Sequence, residues 1–389
     1  MHRLSIVLWF ALAASPFANA QSILSDWEVD ARGAALIVLA PGRDDAGEVD
    51  AELAVGEVRA EVRVDRVLEN GAKIGFRLGA RAQFDHPARS GFSGLIGGEG
   101  FALVGASQRG AFTGLTLGGE EEDADVRAAL ETAFAYIDGG YGELLVGRDL
   151  GVARRFHEGA ESVFGRHGAI NPSLDSSGIA SVITRSDLSG PAAKISYSTP
   201  RILGLKLGAS YAPRAVTRGL DRDPARSVDG VEEPRLEQIV EVGFNFSRRL
   251  RASGVRVSTY GAYARADLET GPLRVDTGTV EVWSTGARLE HSDLSFGADW
   301  LTTDNGAGRY TAWSVSAGAE KLGFEFSASY GQSDDELTAF EGETGSIGVS
   351  RAIFEDIRLG LGVQTQILKS DTGGTIRSTG PVIEMSLSF

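Results

Sequence analysis

The residues of this chain able to do chemistry are charged, and they fall in two places. One is a ladder, Arg59 and Arg63 followed by Lys73, Arg77 and Arg81, stepped by four within each segment. The other is residues 151–185, GVARRFHEGAESVFGRHGAINPSLDSSGIASVITR, which hold Arg154, Arg155, Glu158, Glu161, Arg166 and Asp175 together with His157 and His167. Guanidinium and carboxylate groups facing one another across water set up a field that orients dipolar solutes and sorts small ions, with no bond made or broken. Covalent chemistry finds little support. There is no cysteine, which removes thiolate nucleophiles and thiolate metal sites. Past residue 20 the histidines are His86, His157, His167 and His291, and none stands beside a recognisable serine nucleophile. Residues 97–105, GGEGFALVG, lack the Lys-Ser/Thr and the strand-then-helix setting of a phosphate loop. Neither a cofactor nor a metal is expected. A formal net charge of −15 repels phosphates and argues against a nucleic-acid partner.

The ladder must be held by β-strands. In residues 72–85, Ala72, Ile74, Phe76, Leu78, Ala80, Ala82 and Phe84 fall on one face, and Lys73, Arg77, Arg81, Gln83 and Asp85 on the other. A period of two marks a strand with one apolar and one wet face, and this one is longer than most globular strands. Residues 58–65 alternate likewise, with Arg59 and Arg63 on the wet face, and the tight turn Glu69-Asn70-Gly71 makes the two strands neighbours. Same-face Glu57, Glu61 and Asp65 are placed to offset the like charges. The pattern recurs at 27–39, 126–137, 142–149, 192–199, 205–212, 236–247, 255–266, 279–290, 294–303, 310–319, 324–331, 345–352, 357–368 and 380–389, sixteen strands in all. Its phase slips near Gly56 and near Ser284, which predicts a bulge or a break at each.

Connections between these strands alternate short and long. Tight turns at 69–71, 138–141, 201–204, 248–254, 291–293, 321–323 and 354–356 are interleaved with long segments that include 86–125, 151–185, 213–235, 267–278, 332–344 and 369–379. Mean hydropathy is −0.07, too polar for a helical membrane protein, but in a barrel only every second residue meets lipid. The reading is all-β: a 16-stranded antiparallel transmembrane β-barrel with short periplasmic turns and long extracellular loops, the third of which folds inward. Tyr197, Phe244, Phe246 and Phe324 near short turns, and Tyr211, Trp300, Trp313 and Tyr330 toward long loops, make two interfacial girdles. Residues 1–20 read as a cleaved export signal, with Arg3, an apolar core from Leu4 to Ala14 and the Ala18-Asn19-Ala20 cleavage site, so the barrel is expected over 21–389. A soluble sandwich would also alternate, but would not combine an export signal with this many strands and this rule of connections.

Three segments then resemble a known family. Residues 141–150, YGELLVGRDL, resemble the strand that leads into the constriction loop of the sixteen-stranded, trimeric general-diffusion porins of Gram-negative outer membranes, in their alphaproteobacterial form. Residues 194–213, KISYSTPRILGLKLGASYAP, are similar to that family's next hairpin, and the chain ends in an alternating strand with a terminal Phe389. The acidic PEFGG-like loop motif of enterobacterial porins is absent.

The resemblance implies a passive outer-membrane channel for small hydrophilic solutes and ions, not an enzyme. It implies a homotrimer among outer-membrane lipids and lipopolysaccharide, with 86–125 latching onto a neighbouring subunit and Phe389 read by the barrel assembly machinery. It makes 151–185 the constriction loop, with Arg154, Arg155, Glu158, Glu161, Arg166 and Asp175 facing a basic wall of Arg59, Arg63, Lys73, Arg77 and Arg81, joined by Arg32 and Arg127. The loop's own arginines leave the sign of ion selectivity open. A substrate-specific porin for a sugar or an anion, or a plugged structural barrel, are the alternatives. The acidic run 120–125, EEEDAD, reads as a solvated loop in preference to a divalent-cation bridge.

Overall fold

The computed structural model describes residues 26–40, 43–44, 54–85, 126–215, 235–270, 275–304, 306, 308–337, 339–371 and 374–389. The proposed export signal, the long connection 86–125 and the acidic run within it lie outside these residues. The first strands are β1 (Glu28–Leu39), β2 (Ala54–Val67), β3 (Lys73–Phe84), β4 (Arg127–Gly139) and β5 (Gly142–Asp149). A short helix, α1 (Val152–Phe156), opens the segment that follows β5. Then come β6 (Ala192–Ser198), β7 (Leu205–Ala215), β8 (Arg235–Arg249), β9 (Arg256–Thr270), β10 (Val275–His291) and β11 (Leu294–Thr303). The last are β12 (Tyr310–Lys321), β13 (Phe324–Asp335), β14 (Phe340–Phe354), β15 (Ile357–Ser370) and β16 (Thr375–Ser388).

Each strand pairs antiparallel with its sequence neighbours, and β1 also pairs with β16, so the sheet closes into a 16-strand barrel without a long edge. A two-residue segment, Arg43–Asp44, adds a short pairing to the long-loop end of β16. All sixteen strands foreseen from alternation are present, and most extend further toward the long loops. The tight end is made by turns that match the right-handed twist of the strands. Leu322-Gly323 and Leu203-Gly204 both carry positive φ at their two central residues, as a two-residue hairpin turn requires.

The seam is closed by the chain terminus. Phe389 and Gly33 exchange backbone hydrogen bonds of 2.7 and 3.0 Å. The Phe389 ring lies over Gly33, where a Cβ would stand 2.2 Å from it, so the terminal aromatic covers a glycine on the barrel's outer face.

The two expected bulges are absent, and the reason is instructive. Register runs unbroken from β1 to β2 across Gly56, and from β10 to both neighbours across Ser284. The hydropathy slips because Val55, Val280 and Val282 are apolar residues pointing into the lumen, where they are fully buried. Real irregularities lie elsewhere. Between β3 and β4 the register shifts at Gly79/Ala80, which leaves Glu131 as the extra residue. That bulge puts Glu131 on the same face as Arg81.

Candidate functional site

The basic ladder stands on the lumen face of β2 and β3, in a register that sets like against like. Arg59 lies opposite Arg81, and Arg63 opposite Arg77. Cationic neighbours in direct register repel, and the interleaved acids resolve this. Arg59 pairs with Glu57, Arg77 with Glu61 at 2.5 Å, and Arg63 and Lys73 with Asp65 at 2.6 and 2.9 Å. Arg81 is clamped by Glu57 at 2.8 Å and by the bulged Glu131 at 2.5 Å. Glycine opens the space. Opposite Asp65 stands Gly75, where a Cβ would come within 2.8 Å of the Tyr136 hydroxyl that donates to Asp65.

The resulting wall is a checkerboard, neutral overall to within about one charge, but it does not present both signs equally. Glu57 and Asp65 are buried, whereas the guanidinium groups of Arg59, Arg63 and Arg77 remain substantially exposed. Arg81 is the exception, with a side chain only 3% exposed beneath its two carboxylates.

The segment between β5 and β6 folds into the barrel and lies along the opposite wall. α1 packs on β7, β8 and β9. From there the chain is hung on lumen-facing side chains in succession. Glu161 N donates to Ser316 Oγ at 2.8 Å and Val163 N to Ser327 Oγ at 2.9 Å. Phe164 then settles over Gly348, Gly360 and Gly362, whose missing side chains leave room for its ring. Val163, Phe164 and Leu174 join Val38, Val55 and Val382 in one apolar cluster. The return arm packs Leu188 and Ile183 on a second cluster that contains Ile239, Val280, Val282 and Leu301. These two clusters explain the inward valines.

Two buried carboxylates bracket this path. Glu384 of β16 accepts the amides of Gly165, Arg166 and His167 at 2.6, 3.3 and 3.4 Å. Glu241 of β8 accepts those of Ala153 at 3.1 Å and Ser189 at 3.3 Å, and the Ser210 hydroxyl at 3.3 Å. Each satisfies backbone donors that the inward path takes out of water. His157 packs on Tyr260, with ring centroids 5.0 Å apart, and its Nε2 is 3.7 Å from Asp299. Burial pushes its pKa well below the ordinary histidine value, and the nearby Arg185 and Arg154 push it the same way.

The loop residues picked from sequence therefore do different things. Arg155 pairs with Glu143 at 2.6 Å, Glu161 with Arg288, and Arg166 reaches Glu57 of the opposite wall at 3.5 Å. Glu158 accepts from the Asn245 amide at 2.7 Å, and Arg154 lies half-buried on α1. Asp175 is fully buried, and its carboxylate accepts from Ser177 N and Oγ and from Ala180 N at 3.0, 2.6 and 2.8 Å. It braces the loop from within and offers nothing to the lumen. Glu241, Glu384 and the bulged Glu131 were missed. The signal available for Glu384 was a lone carboxylate at a wet-face position of a strand otherwise rich in Ser and Gly.

A sheet closed on itself, with a chain segment laid across its lumen, is matched by known proteins over almost its whole length. The family model described as Gram-negative porin matches residues 7–367. The chain belongs to the Gram-negative porin family. The solved structures agree in fold. OmpF of Salmonella typhi, in complex with daunomycin, is 13% identical with a TM-score of 0.59, covering 94% of this chain and 98% of that one. The anion-selective porin from Comamonas acidovorans is 13% identical with a TM-score of 0.55, covering 93% and 100%. The trimer form of OmpT from Vibrio cholerae is 11% identical with a TM-score of 0.54, covering 93% and 99%. No functionally curated protein matches the sequence at a significant level. As a member of the porin family the protein is a non-enzymatic outer-membrane channel for passive diffusion.

Proposed function

We propose that this porin admits small hydrophilic solutes and ions through a constriction between the inward loop, residues 151–185, and the β2–β3 wall. The observation that carries this reading is the loop's position. It is hung on β8 and β11–β16, so the open side of the lumen faces Arg59, Arg63, Lys73 and Arg77. Arg155, Glu158, Glu161 and Arg166 line the loop side. Because Glu57 and Asp65 sit behind the exposed guanidinium groups, solutes meet hydrogen-bond donors first and the long-range field is modest.

The working form in this reading is a homotrimer, and the outer surface supports it. Tyr211, Tyr263, Trp283, Trp300, Trp313 and Tyr330 ring the long-loop end from β7 to β13. Across β14–β16 and β1–β5 that level carries small and aliphatic residues such as Ala35, Ile37, Val58, Ala80 and Ala82, and among the described residues its one aromatic, Phe84, is buried over Gly56. Interfacial aromatics belong where a barrel meets lipid. The sector without them is the one that meets neighbouring subunits. Residues 1–20 act as the cleaved export signal, and Phe389 as the mark read by the assembly machinery. Lipids and lipopolysaccharide surround the aromatic sector.

Planar-bilayer recording under a KCl gradient tests this. Large ohmic steps that close in threes are expected, with a reversal potential near zero. Well-folded, heat-modifiable protein that passes no current would overturn the channel reading.

A further inference from the structure

Just beneath the loop's crossing, the lumen holds a cavity of about 360 Å³ between the loop, β1, β2, β13, β15 and β16. That is within the size range of small-molecule sites. Three guanidinium groups from three separate elements converge on it: Arg59 of β2, Arg166 of the loop and Arg358 of β15. Glu57, Glu325 and Glu384 also line it. By formal charge the cavity is balanced, but not by what it shows to a solute. Glu384 is turned onto three loop amides. Glu57 lies beneath Arg59, Arg81 and Arg166, with a side chain 2% exposed. Only Glu325 remains open, and it pairs with Arg358. The side chains of Arg59, Arg166 and Arg358 are 35%, 27% and 41% exposed.

We propose that this cavity is a weak subsite for small oxyanions, meaning solutes with two equivalent oxygens on one centre, as in carboxylates and phosphates. Planar guanidinium groups take such oxygens in paired hydrogen bonds, which an isolated halide does not match. The buried carboxylates behind them keep the attraction shallow. A channel needs that, because a site that binds tightly stops conducting. The inference rests on the channel reading but adds a preference to it. At equal charge, an oxyanion dwells beside the constriction where chloride does not.

Two measurements separate this proposal from that reading. In bilayers at constant ionic strength, inorganic phosphate added to KCl is expected to lower the single-channel current saturably, with half-effect in the millimolar range. The substitution Arg358→Gln, at the short-turn end of β15 and outside the loop's anchors, is expected to raise that half-effect concentration about fivefold. Phosphorus-31 line broadening on the detergent-solubilised porin reads the same binding whether or not the barrel conducts, and acetate competing for it would show that carboxylates share the site. Current that falls only in proportion to chloride replaced, or line broadening identical in the wild type and Arg358→Gln, would overturn the subsite.

Discussion

The two walls of the lumen are built from different residues for one physical reason. On β2 and β3 the lumen face reads Glu57, Arg59, Glu61, Arg63, Asp65 and, across the turn, Lys73, Gly75, Arg77, Gly79, Arg81. On β12–β15, where the loop lies, it reads Ser314, Ser316, Gly318, then Ser327, Ser329, Gly331, then Gly342, Thr344, Ser346, Gly348, and finally Gly360, Gly362, Gln364 and Gln366, with charged Glu325 and Arg358 only at the short-turn end. The first wall turns the exposed guanidinium groups of Arg59, Arg63 and Arg77 to water over buried Glu57 and Asp65, and only its long-loop end, at Val55, lies under the loop. The second receives a chain. Every amide laid against it loses water and needs an acceptor, and every apolar side chain needs a place to lie. Serine supplies the acceptor, glycine the place, and a carboxylate the strong acceptor at each end of the crossing. A wall of arginines would hold the loop away from it.

Disturbing the bed should therefore move the loop, and disturbing the ladder should not. The largest effect belongs to Glu384→Ala, which strips three amides of their acceptor. Buried donors left unpaired, next to a lost charged acceptor, should weaken loop docking by about 3–5 kcal/mol. Open-channel noise and mean conductance should both rise while the barrel stays heat-modifiable. Phe164→Ala empties the glycine pocket and should cost roughly 3 kcal/mol, seen as faster protease cleavage within residues 151–185 of the folded barrel. Unchanged cleavage would mean the loop does not depend on that pocket.

Acidity probes the bed through His157. Its pKa is lowered in the docked loop by burial, so the undocked loop binds the proton more readily. Docking should therefore be at full strength above about pH 6.5 and weaken as pH falls below it, until the docked histidine itself titrates. Conductance noise should rise below that pH in the wild type and stay flat in His157→Gln. A smaller change is expected from Ser316→Ala, about 1 kcal/mol, since one acceptor for Glu161 N is lost. Least costly to stability is Arg77→Gln, on the water-facing wall. An exposed pair there contributes about 0–1 kcal/mol, yet the reversal potential in a KCl gradient should move toward the cation side.

How far the sequence could be read follows the same division. The β2–β3 wall was legible because Lys73, Arg77 and Arg81 alternate with residues that face lipid, and a three-residue turn fixes their partners. The bed was harder, because Ser327, Ser329 and Gly348 have weak hydropathy and mark no obvious function. The inward valines misled outright. Val55, Val280 and Val282 face the lumen because the loop covers them, and hydropathy alone assigns an apolar residue to lipid. Within the loop, Asp175 was indistinguishable from Glu161 by type. Only the fold shows that one carboxylate braces the loop and the other meets Arg288. The bulge at Glu131 was missed although it leaves a mark: the adjacent polar pair Glu131-Thr132 breaks the alternation between Ala128, Leu130 and Ala133, Ala135, Ile137.

One wall of the lumen is open to water and the other is closed by the loop. The chain has no native cysteine, so single-cysteine accessibility in bilayers reads this without background. Arg77→Cys and Ser346→Cys would be compared during exposure to a negatively charged methanethiosulfonate reagent. Ser346 lies buried on β14, hydrogen-bonded to Ser329 at 2.9 Å. A prompt conductance change is expected for Arg77→Cys and none for Ser346→Cys. Equal rates at the two positions would show that the loop does not close that wall.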